Sequence, residues 1–224
     1  MPDGMSVSEA VAARFSARAF KADPVPGETV RAILEAAARA PSGGNLQPWK
    51  VHAVAGEALA DFKAQVAARL GSPDEAQYAV YPANLWEPFR SRRFQVGEDL
   101  YGALEIPREN KMGRLMQFAR NAEFFGAPVG LFFSIDRQLG PPQWSDLGMY
   151  MQTVMLLATE RGLATCAQEF WSAYGKLSAD FLGLPDDHMV FSGMALGVAD
   201  EDAAVNQWRS RREPFEVWGE LRGF

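Results

Sequence analysis

The chain has 224 residues, of which 48% are hydrophobic, and its 28 acidic and 22 basic side chains give a formal net charge of −6. This composition excludes an intrinsically disordered chain, and the acidic balance is not that of a protein that coats nucleic acid or anionic membranes. One cysteine, Cys166, and two histidines furnish neither an intramolecular disulfide nor a four-ligand zinc site, so we expect no metal. The first ten residues lack the features of a signal peptide and the longest apolar stretches carry charges, which predicts a cytoplasmic protein without a membrane partner.

The N-terminal part of the chain combines helical patterns with one strand. Ser6 and Glu9 have the spacing of a capping box, which predicts a short helix at the start of the chain. Two further helical patterns run over 30–37 and 59–70, where apolar residues recur at the helical period. The apolar segment 49–54 between them predicts a strand.

The segment 71–95 interrupts this pattern, because it combines three prolines with several large aromatic side chains. Prolines break a helix, yet the segment is too apolar for a loop that lies in solvent. A long aromatic loop of this kind is usually functional or packed as a lid, and we expect one of these roles here. Helical patterns follow at about 96–105 and 109–125.

The C-terminal half indicates strands that alternate irregularly with helices. The predicted elements are a strand at 129–135, a helix at 144–162, a strand at 163–168, a helix at 173–182 and a strand at 189–198. The helix at 144–162 is apolar on both sides, which predicts either a central core helix or a subunit interface. The tail, 199–224, is polar with scattered large apolar groups, so we expect it to embrace another surface. Because the order is not a regular βαβ alternation, the predicted class is α+β.

No G-x-G-x-x-G, Walker A, H-E-x-x-H, G-x-S-x-G or EF-hand pattern occurs in the sequence, which removes the common routes to NAD binding, NTP hydrolysis and proteolysis. Three other segments concentrate hydrogen-bond donors: residues 14–20 (R-F-S-A-R-A-F), 41–49 (P-S-G-G-N-L-Q-P-W) and 209–214 (R-S-R-R-E-P). The guanidiniums of the first and third suit a phosphate, and the glycines of the second allow a ligand to approach the backbone closely. Taken singly, each segment is also compatible with a solvated helix end, an ordinary connection or a solvated basic run.

Together these segments resemble the flavin-dependent nitroreductase family. R-F-S-A-R-A-F, A-P-S-G-G-N-L-Q-P-W, L-A-T-C-A-Q-E near residue 166 and R-S-R-R-E-P-F occur in the order and at the spacing of that family, over about residues 6 to 220. The resemblance implies one α+β domain over 1–224, with a central, mostly antiparallel sheet surrounded by helices. It also implies a homodimer with exchanged C-terminal tails, in which residues from about 200 to 224 wrap the partner.

The resemblance further implies which residues bind FMN. The positions that hold the phosphate and the pyrimidine side of the ring match Arg14, Phe15 (through its backbone), Ser16 and Arg18. The basic tail residues on the phosphate match Arg209 and Arg212. The loop that reaches the flavin from the partner subunit matches Pro41, Ser42, Gly43 and Asn45. The segment beside the reactive nitrogen of the isoalloxazine matches Ala167, Gln168 and Glu169, and a further polar contact matches Arg90.

The activity implied by the resemblance is the two-electron reduction of a nitroaromatic, a quinone or a related small aromatic electrophile by NADH or NADPH, in a ping-pong mechanism. The flavin carries the chemistry, so no catalytic side chain is expected. Residues 71–95 and 109–125 would form the apolar cover of the acceptor pocket. Two alternatives remain at this point: another flavin reaction on the same fold (reductive dehalogenation, desaturation or flavin cleavage), or a non-catalytic flavin-binding module.

The sequence departs from the family pattern next to the segment that faces the flavin. Position 167 is alanine where many relatives have proline, and Phe170 and Trp171 are bulky where small residues are common. These departures concern the substrate face rather than flavin binding. Flavin binding has independent support, because a nearly dianionic phosphate needs several positive donors, and four of the matched positions are arginines: Arg14, Arg18, Arg209 and Arg212.

Overall fold

The computed structural model describes residues 4–224, so the first three residues of the domain predicted over 1–224 lie outside the described part. The helices are α1 (Val7–Ala13), α2 (Gly27–Ala37), α3 (Gly56–Ala67), α4 (Phe89–Ala103), α5 (Lys111–Ala119), α6 (Pro141–Glu160), α7 (Gly175–Leu182), α8 (Ala204–Gln207) and α9 (Phe215–Trp218). The strands are β1 (Lys50–Ala55), β2 (Val129–Asp136), β3 (Ala164–Gln168) and β4 (His188–Gly197). Short 3-10 turns cover Gly43–Asn45, Arg120–Gly126 and Glu169–Tyr174.

The strands form one antiparallel sheet in the order β1-β2-β4-β3. The two central strands are buried along almost their whole length, which their continuous apolar runs predict. β1 and β3 are the edges, and β3 gains a parallel bridge from Ser16 to Thr165. The α+β class, with an antiparallel sheet surrounded by helices, is confirmed.

Each face of the sheet is covered by its own hydrophobic cluster. On one face, α2 and α6 pack through residues such as Ile33, Leu147 and Val154, all without exposed surface. On the other face, α3, α7 and the turn Arg120–Gly126 pack around Phe62 and Trp171, which are also fully buried. The sheet is therefore a rigid middle layer, and the loops at the end of β3 are held against it.

The long helix α6 begins three residues before its apolar period, because Pro141 has the fixed φ that suits a first helical turn. One side of α6 is buried against the sheet, but the side with Met149 is not, and 40% of that residue is exposed. The expectation of a helix buried all round is therefore wrong within one chain. The other expectation for this helix, a subunit interface, is compatible with the exposure of Met149 on this side.

Two boundaries differ from the sequence prediction. The segment predicted as a loop over 71–95 becomes helical at Phe89, directly after Pro88, so the loop is shorter. The helix predicted over 109–125 ends at Ala119, and the following turn places Phe124 and Phe125 at φ 49° and 55°. Such left-handed backbone is strained in a non-glycine residue, and burial of both rings in the core offsets the strain.

Candidate functional site

The N-terminal segment with the first arginine motif lies along the edge strand β3. The backbone N–H of Ala17 donates to the carbonyl of Thr165 at 3.0 Å, which extends the sheet to this segment. The side chain of Asn206, from α8, accepts from the N–H of Arg18 at 2.8 Å and donates to the carbonyl of Ala19 at 2.8 Å. The start of the chain, β3 and the C-terminal tail therefore meet at one place.

This meeting point collects positive charge around the thiol of Cys166. Burial and the nearby charge of Arg212 lower the pKa of Arg14. Burial raises the pKa of Cys166, and the positive charges of Arg18 and Arg14 oppose this rise. Arg14 therefore lies near both Arg212 and Cys166, and Arg18 also lies near Cys166 on β3.

The arginine cluster has no carboxylate partner within the described residues. Among residues 4–224, no carboxylate lies within 4.0 Å of a side-chain nitrogen of Arg14, Arg18, Arg209 or Arg212. Instead, the guanidinium of Arg209 lies 3.8 Å from the ring centroid of Phe15, and that of Arg212 donates to the hydroxyl of Ser210 at 2.8 Å. Arg14 and Arg18 are partly buried, and Arg209 and Arg212 are exposed beside them. Partly buried positive charges without a carboxylate partner are unfavourable, so the cluster fits an anion such as a phosphate monoester.

A cavity of about 860 Å³ opens beside this cluster, and Arg18 belongs to both. Its floor is the end of β3 and the following turn, from Cys166 to Glu169. Its walls are mostly aromatic and aliphatic and come from α4, α5 and the connection between α3 and α4. A large apolar cavity with a few convergent polar groups is the usual form of a small-molecule site.

Gln168 is the most firmly held polar residue of the cavity floor. Its side-chain amide donates to the carbonyl and to the side-chain oxygen of Asn121 at 2.9 and 3.1 Å, and its carbonyl oxygen accepts from the indole of Trp171 at 3.2 Å. The next residue, Glu169, also lines the cavity, and partial burial raises the pKa of its carboxyl group. The floor therefore combines an amide held by hydrogen bonds with one carboxyl group whose neutral form is favoured by desolvation.

The two bulky residues that follow the floor have different roles. Phe170 lines the cavity and packs edge-on against Phe118 of α5, with the ring centroids 5.7 Å apart. Trp171 points into the core instead and has no exposed surface. A Cβ atom on Gly193 would lie 2.1 Å from its ring, so Trp171 occupies the space over β4 that only a glycine leaves open. The departure at Phe170 shapes the cavity, and that at Trp171 shapes the core beneath it.

The loop before α4 is pinned to the turn after β3. The backbone N–H groups of Asp74 and Gln77 donate to the carbonyls of Ala173 and Ser172 at 2.8 and 3.1 Å. The hydroxyl of Tyr78 donates to the carbonyl of Phe191, and burial raises its pKa to about 12, so this donor stays protonated. These anchors fix the part of the loop that follows them, and Val80 and Tyr81 line the cavity. The segments 71–95 and 109–125 both contribute to the cavity lining, and of the three phenylalanines in 109–125, Phe118 and Phe125 line the cavity whereas Phe124 is buried in the core.

The other residues matched to flavin contacts lie apart from the cavity in this chain. In the 41–45 loop, the N–H of Gly43 donates to Asp146 at 3.2 Å, while Pro41 and Asn45 are exposed. Arg90 forms an exposed ion pair with Glu87 at 2.7 Å. None of these residues lines the cavity as formed by residues 4–224. Of the matched residues, Arg18, Ala167, Gln168 and Glu169 line it, and Arg14 and Arg212 join the basic cluster beside it.

Several residues of the site escaped the sequence interpretation. Asn121 and Asn206 fix the floor and the N-terminal segment through contacts between distant parts of the chain, which no local pattern indicates. Arg93 and Tyr81 line the cavity, and their only signal was the aromatic and basic character of the segment 71–95. Across 4–224, neither a membrane-spanning helix nor a cluster of three possible metal-ligating side chains is found.

Comparison with known proteins places the chain among nitroreductases. The model of the Nitroreductase family matches residues 11–198. The chain is 38% identical over 214 residues to a 4-nitrobenzoate reductase of Pseudomonas putida, covering 96% of this chain and 94% of the relative. It is 40% identical over 212 residues to a nitrobenzene nitroreductase of Ectopseudomonas oleovorans, covering 92% of each. Its structure superposes with a TM-score of 0.94 on the FMN and NADPH-dependent nitroreductase NfnB of Sphigopyxis sp. strain HMH, at 49% identity, covering 98% of this chain and 100% of the other.

Proposed function

The chain belongs to the nitroreductase family, and from this premise we propose that it reduces nitroaromatic compounds with electrons from NADH or NADPH by way of bound FMN. The observation that carries the proposal is that the basic cluster and the aromatic cavity adjoin one another. A basic cluster without carboxylate partners in residues 4–224 meets, at Arg18, a large aromatic cavity. This combination suits a planar cofactor with a phosphate tail and a planar aromatic ligand above it.

The residues that would hold FMN follow from their chemistry. Arg14, Arg18 and Arg212 would neutralise the phosphate, with Arg209 and Ser16 as further donors. The backbone of Phe15 and the segment from Ala167 to Glu169 would contact the ring. FMN, when bound, supplies the means of accepting two electrons from a nicotinamide and passing them to an acceptor.

The chain itself would supply binding, orientation and exclusion of water. The aromatic walls of the cavity favour flat apolar ligands, and the fixed amide of Gln168 would hold the strand end in one geometry. Cys166 is the nucleophilic side chain of the cavity lining, but burial raises its pKa and keeps the thiol protonated. Because a protonated, buried thiol is a poor nucleophile, the reaction needs no covalent step on the protein.

We also propose that the reductant and the acceptor use the same cavity in turn, which is a ping-pong mechanism. Phe118 and Phe170 form an apolar wall suited to a nicotinamide and to a nitroaromatic ring alike. The same wall would accept quinones, which are flat electrophiles of similar size. A cytoplasmic location stays a prediction that rests on the sequence alone.

The proposed active form is a homodimer with exchanged tails. Large apolar groups remain exposed in this chain on α6 (Met149) and in the tail, where Trp218 is 69% and Leu221 66% exposed. Burial of these groups against a second copy would remove their apolar surface from water. The outer edge of β1 is unpaired within the described sheet, and a groove lined by α2 residues such as Val30 and by Val51 runs beside it. A tail from a second copy would cover these surfaces, and the second copy's 41–45 loop would complete the flavin site.

The test is an anaerobic titration of the purified, FMN-loaded protein. We expect NADPH or NADH to bleach the flavin absorbance, and subsequent addition of a nitroaromatic compound to restore it in a separate step. A quinone added in place of the nitro compound tests the wider acceptor range. A protein that binds FMN but is not bleached by either nucleotide would contradict the proposal and favour a non-catalytic flavin-binding module.

A further inference from the structure

Arg93 adds a second positive charge to the cavity lining, far along the chain from the basic cluster that contains Arg14 and Arg18. The charged side chains among the described lining residues are Arg18, Glu169 and Arg93. The guanidinium of Arg93 lies 4.2 Å from the ring centroid of Tyr81, and both residues line the cavity. A cation over an aromatic face is held in position while its N–H groups stay in the guanidinium plane.

Arg90 and Arg92, near Arg93 on the same helix, are paired with carboxylates, whereas Arg93 has no such partner in the described part of the chain. Arg92 donates to Glu213 at 2.9 Å, and Arg90 pairs with Glu87 at 2.7 Å. Within residues 4–224, no carboxylate lies within 4.0 Å of a side-chain nitrogen of Arg93. Its donors are therefore free to bind an anion from outside the chain.

The helix and the loop that carry the pair present it to the cavity. Arg93, Leu100 and Tyr101 are spaced as one face of α4, and all three line the cavity. Tyr81 follows the anchored segment of the loop, whose hydrogen bonds to the turn Glu169–Tyr174 fix it against the cavity floor. Arg93 and Tyr81 are both exposed, and the pair is thus built from two elements that converge on the solvent-accessible part of the same cavity.

We propose that Arg93, stacked on Tyr81, is an anion-binding subsite of the cavity, which takes a carboxylate or phosphate carried by the ligand. The inference rests on the proposed function in one respect, because the proposed function assigns aromatic ligands to the cavity. The rest of the wall is mostly apolar, so an aromatic ring can pack there while its anionic substituent meets the guanidinium fork. The anion has two possible sources, the acidic substituent of an aromatic acceptor and a phosphate of the nicotinamide nucleotide.

The experiment compares binding of charged and neutral ligands to the FMN-loaded protein by isothermal titration calorimetry. The ligands are 4-nitrobenzoate, its neutral isostere 4-nitrobenzamide, and NADP⁺. The variants are Arg93→Gln, Arg93→Lys and the matched control Arg92→Gln, which removes the same charge from the same helix but from a residue outside the cavity lining. Flavin content and unfolding midpoint are measured for each variant, because Arg93 is exposed whereas Arg92 is partly buried and pairs with Glu213, and these two readouts separate an effect on ligand binding from an effect on the fold or the tail.

In Arg93→Gln we expect Kd to rise about tenfold for 4-nitrobenzoate, for NADP⁺ or for both, without a comparable change for 4-nitrobenzamide. Arg93→Lys should recover part of the loss, and Arg92→Gln should show none. A rise confined to the nitrobenzoate identifies the acceptor as the source of the anion, and a rise confined to NADP⁺ identifies the nucleotide.

Three results would overturn the subsite: unchanged affinity for both anions in Arg93→Gln, an equal loss for 4-nitrobenzamide, or an equal effect in Arg92→Gln. Turnover is measured separately with NADPH and 4-nitrobenzamide in the wild-type protein. Absence of turnover would contradict the proposed function, but the binding comparison would still decide the subsite.

Discussion

Burial and the nearby charge of Arg212, in the C-terminal tail, lower the pKa of Arg14, at the end of α1, so two charges from opposite ends of the chain lie near one another. Like charges are brought together in a folded protein only where an anion or another interaction offsets their repulsion. No carboxylate of residues 4–224 pairs with either arginine.

Substituting either member of this pair should weaken flavin binding. We expect Arg14→Ala or Arg212→Ala to reduce the affinity for FMN by about 2–5 kcal/mol, because each removes a charge from a partly desolvated phosphate. Fluorescence titration of the apoprotein measures the affinity. Arg211→Ala is the control, since Arg211 is exposed and its guanidinium lies 3.6 Å from Asp99. Retention of stoichiometric FMN by the double variant through extensive dialysis would contradict the assignment.

Replacing Cys166 should leave the chemistry intact. The thiol is 2% exposed and its pKa is raised by burial, so it behaves as a small hydrophobic group rather than a nucleophile. We expect Cys166→Ser to keep its flavin and most of its turnover, with some loss of stability. Stopped-flow measurement of flavin reduction and reoxidation checks this. A decrease of more than roughly a hundredfold in either half-reaction, with FMN bound, would indicate a direct catalytic role.

Adding one methyl group to Gly193 should destabilise the fold. The new Cβ would lie 2.1 Å from the ring of Trp171, which is locked in the core, so β4 or the indole must shift. We expect Gly193→Ala to lower the free energy of unfolding by about 1–3 kcal/mol or more. Urea denaturation provides the measurement. Gly102→Ala is the control, because nothing lies within 4 Å of its Cβ and alanine should instead stabilise α4 by about 0.5–1 kcal/mol. Equal stabilities of the two variants would refute the close-packing argument.

Removing the end of the tail should disrupt the dimer. Deletion of residues 215–224 removes exposed apolar groups that include Trp218 and Phe224. If these groups cover a second copy, the dimer of the shortened chain should dissociate at a higher protein concentration than the dimer of the full chain. It should lose FMN as it dissociates. Light scattering coupled to absorbance at the flavin band follows both properties. A stable, active, flavin-loaded monomer of the full chain would rule out the dimeric site.

The sequence by itself determined the elements whose stability is local. The capping box of Ser6 and Glu9 forms as predicted, with hydrogen bonds in both directions, because its partners are three residues apart. Apolar periodicity likewise identified α2, α3 and α6 and the buried strands β2 and β4. Order and spacing of four motifs were enough to identify the family, because each motif is a short contiguous segment.

Tertiary structure alone decided which of these segments become one site. The left-handed turn at Phe124 and Phe125 interrupts a helical pattern because the core supplies the space for both rings, and that space is defined by β2 and Trp171. Trp171 itself was assigned to the substrate face but packs into the core, because Gly193, on another strand, leaves it room. Arg92 and Arg93 are adjacent in sequence, but their side chains point in different directions. Arg93 contacts Tyr81 in the cavity, and Arg92 contacts Glu213 in the tail. A helix turns about 100° per residue, so neighbouring side chains face different surroundings, and only the packing of distant segments determines what each one meets.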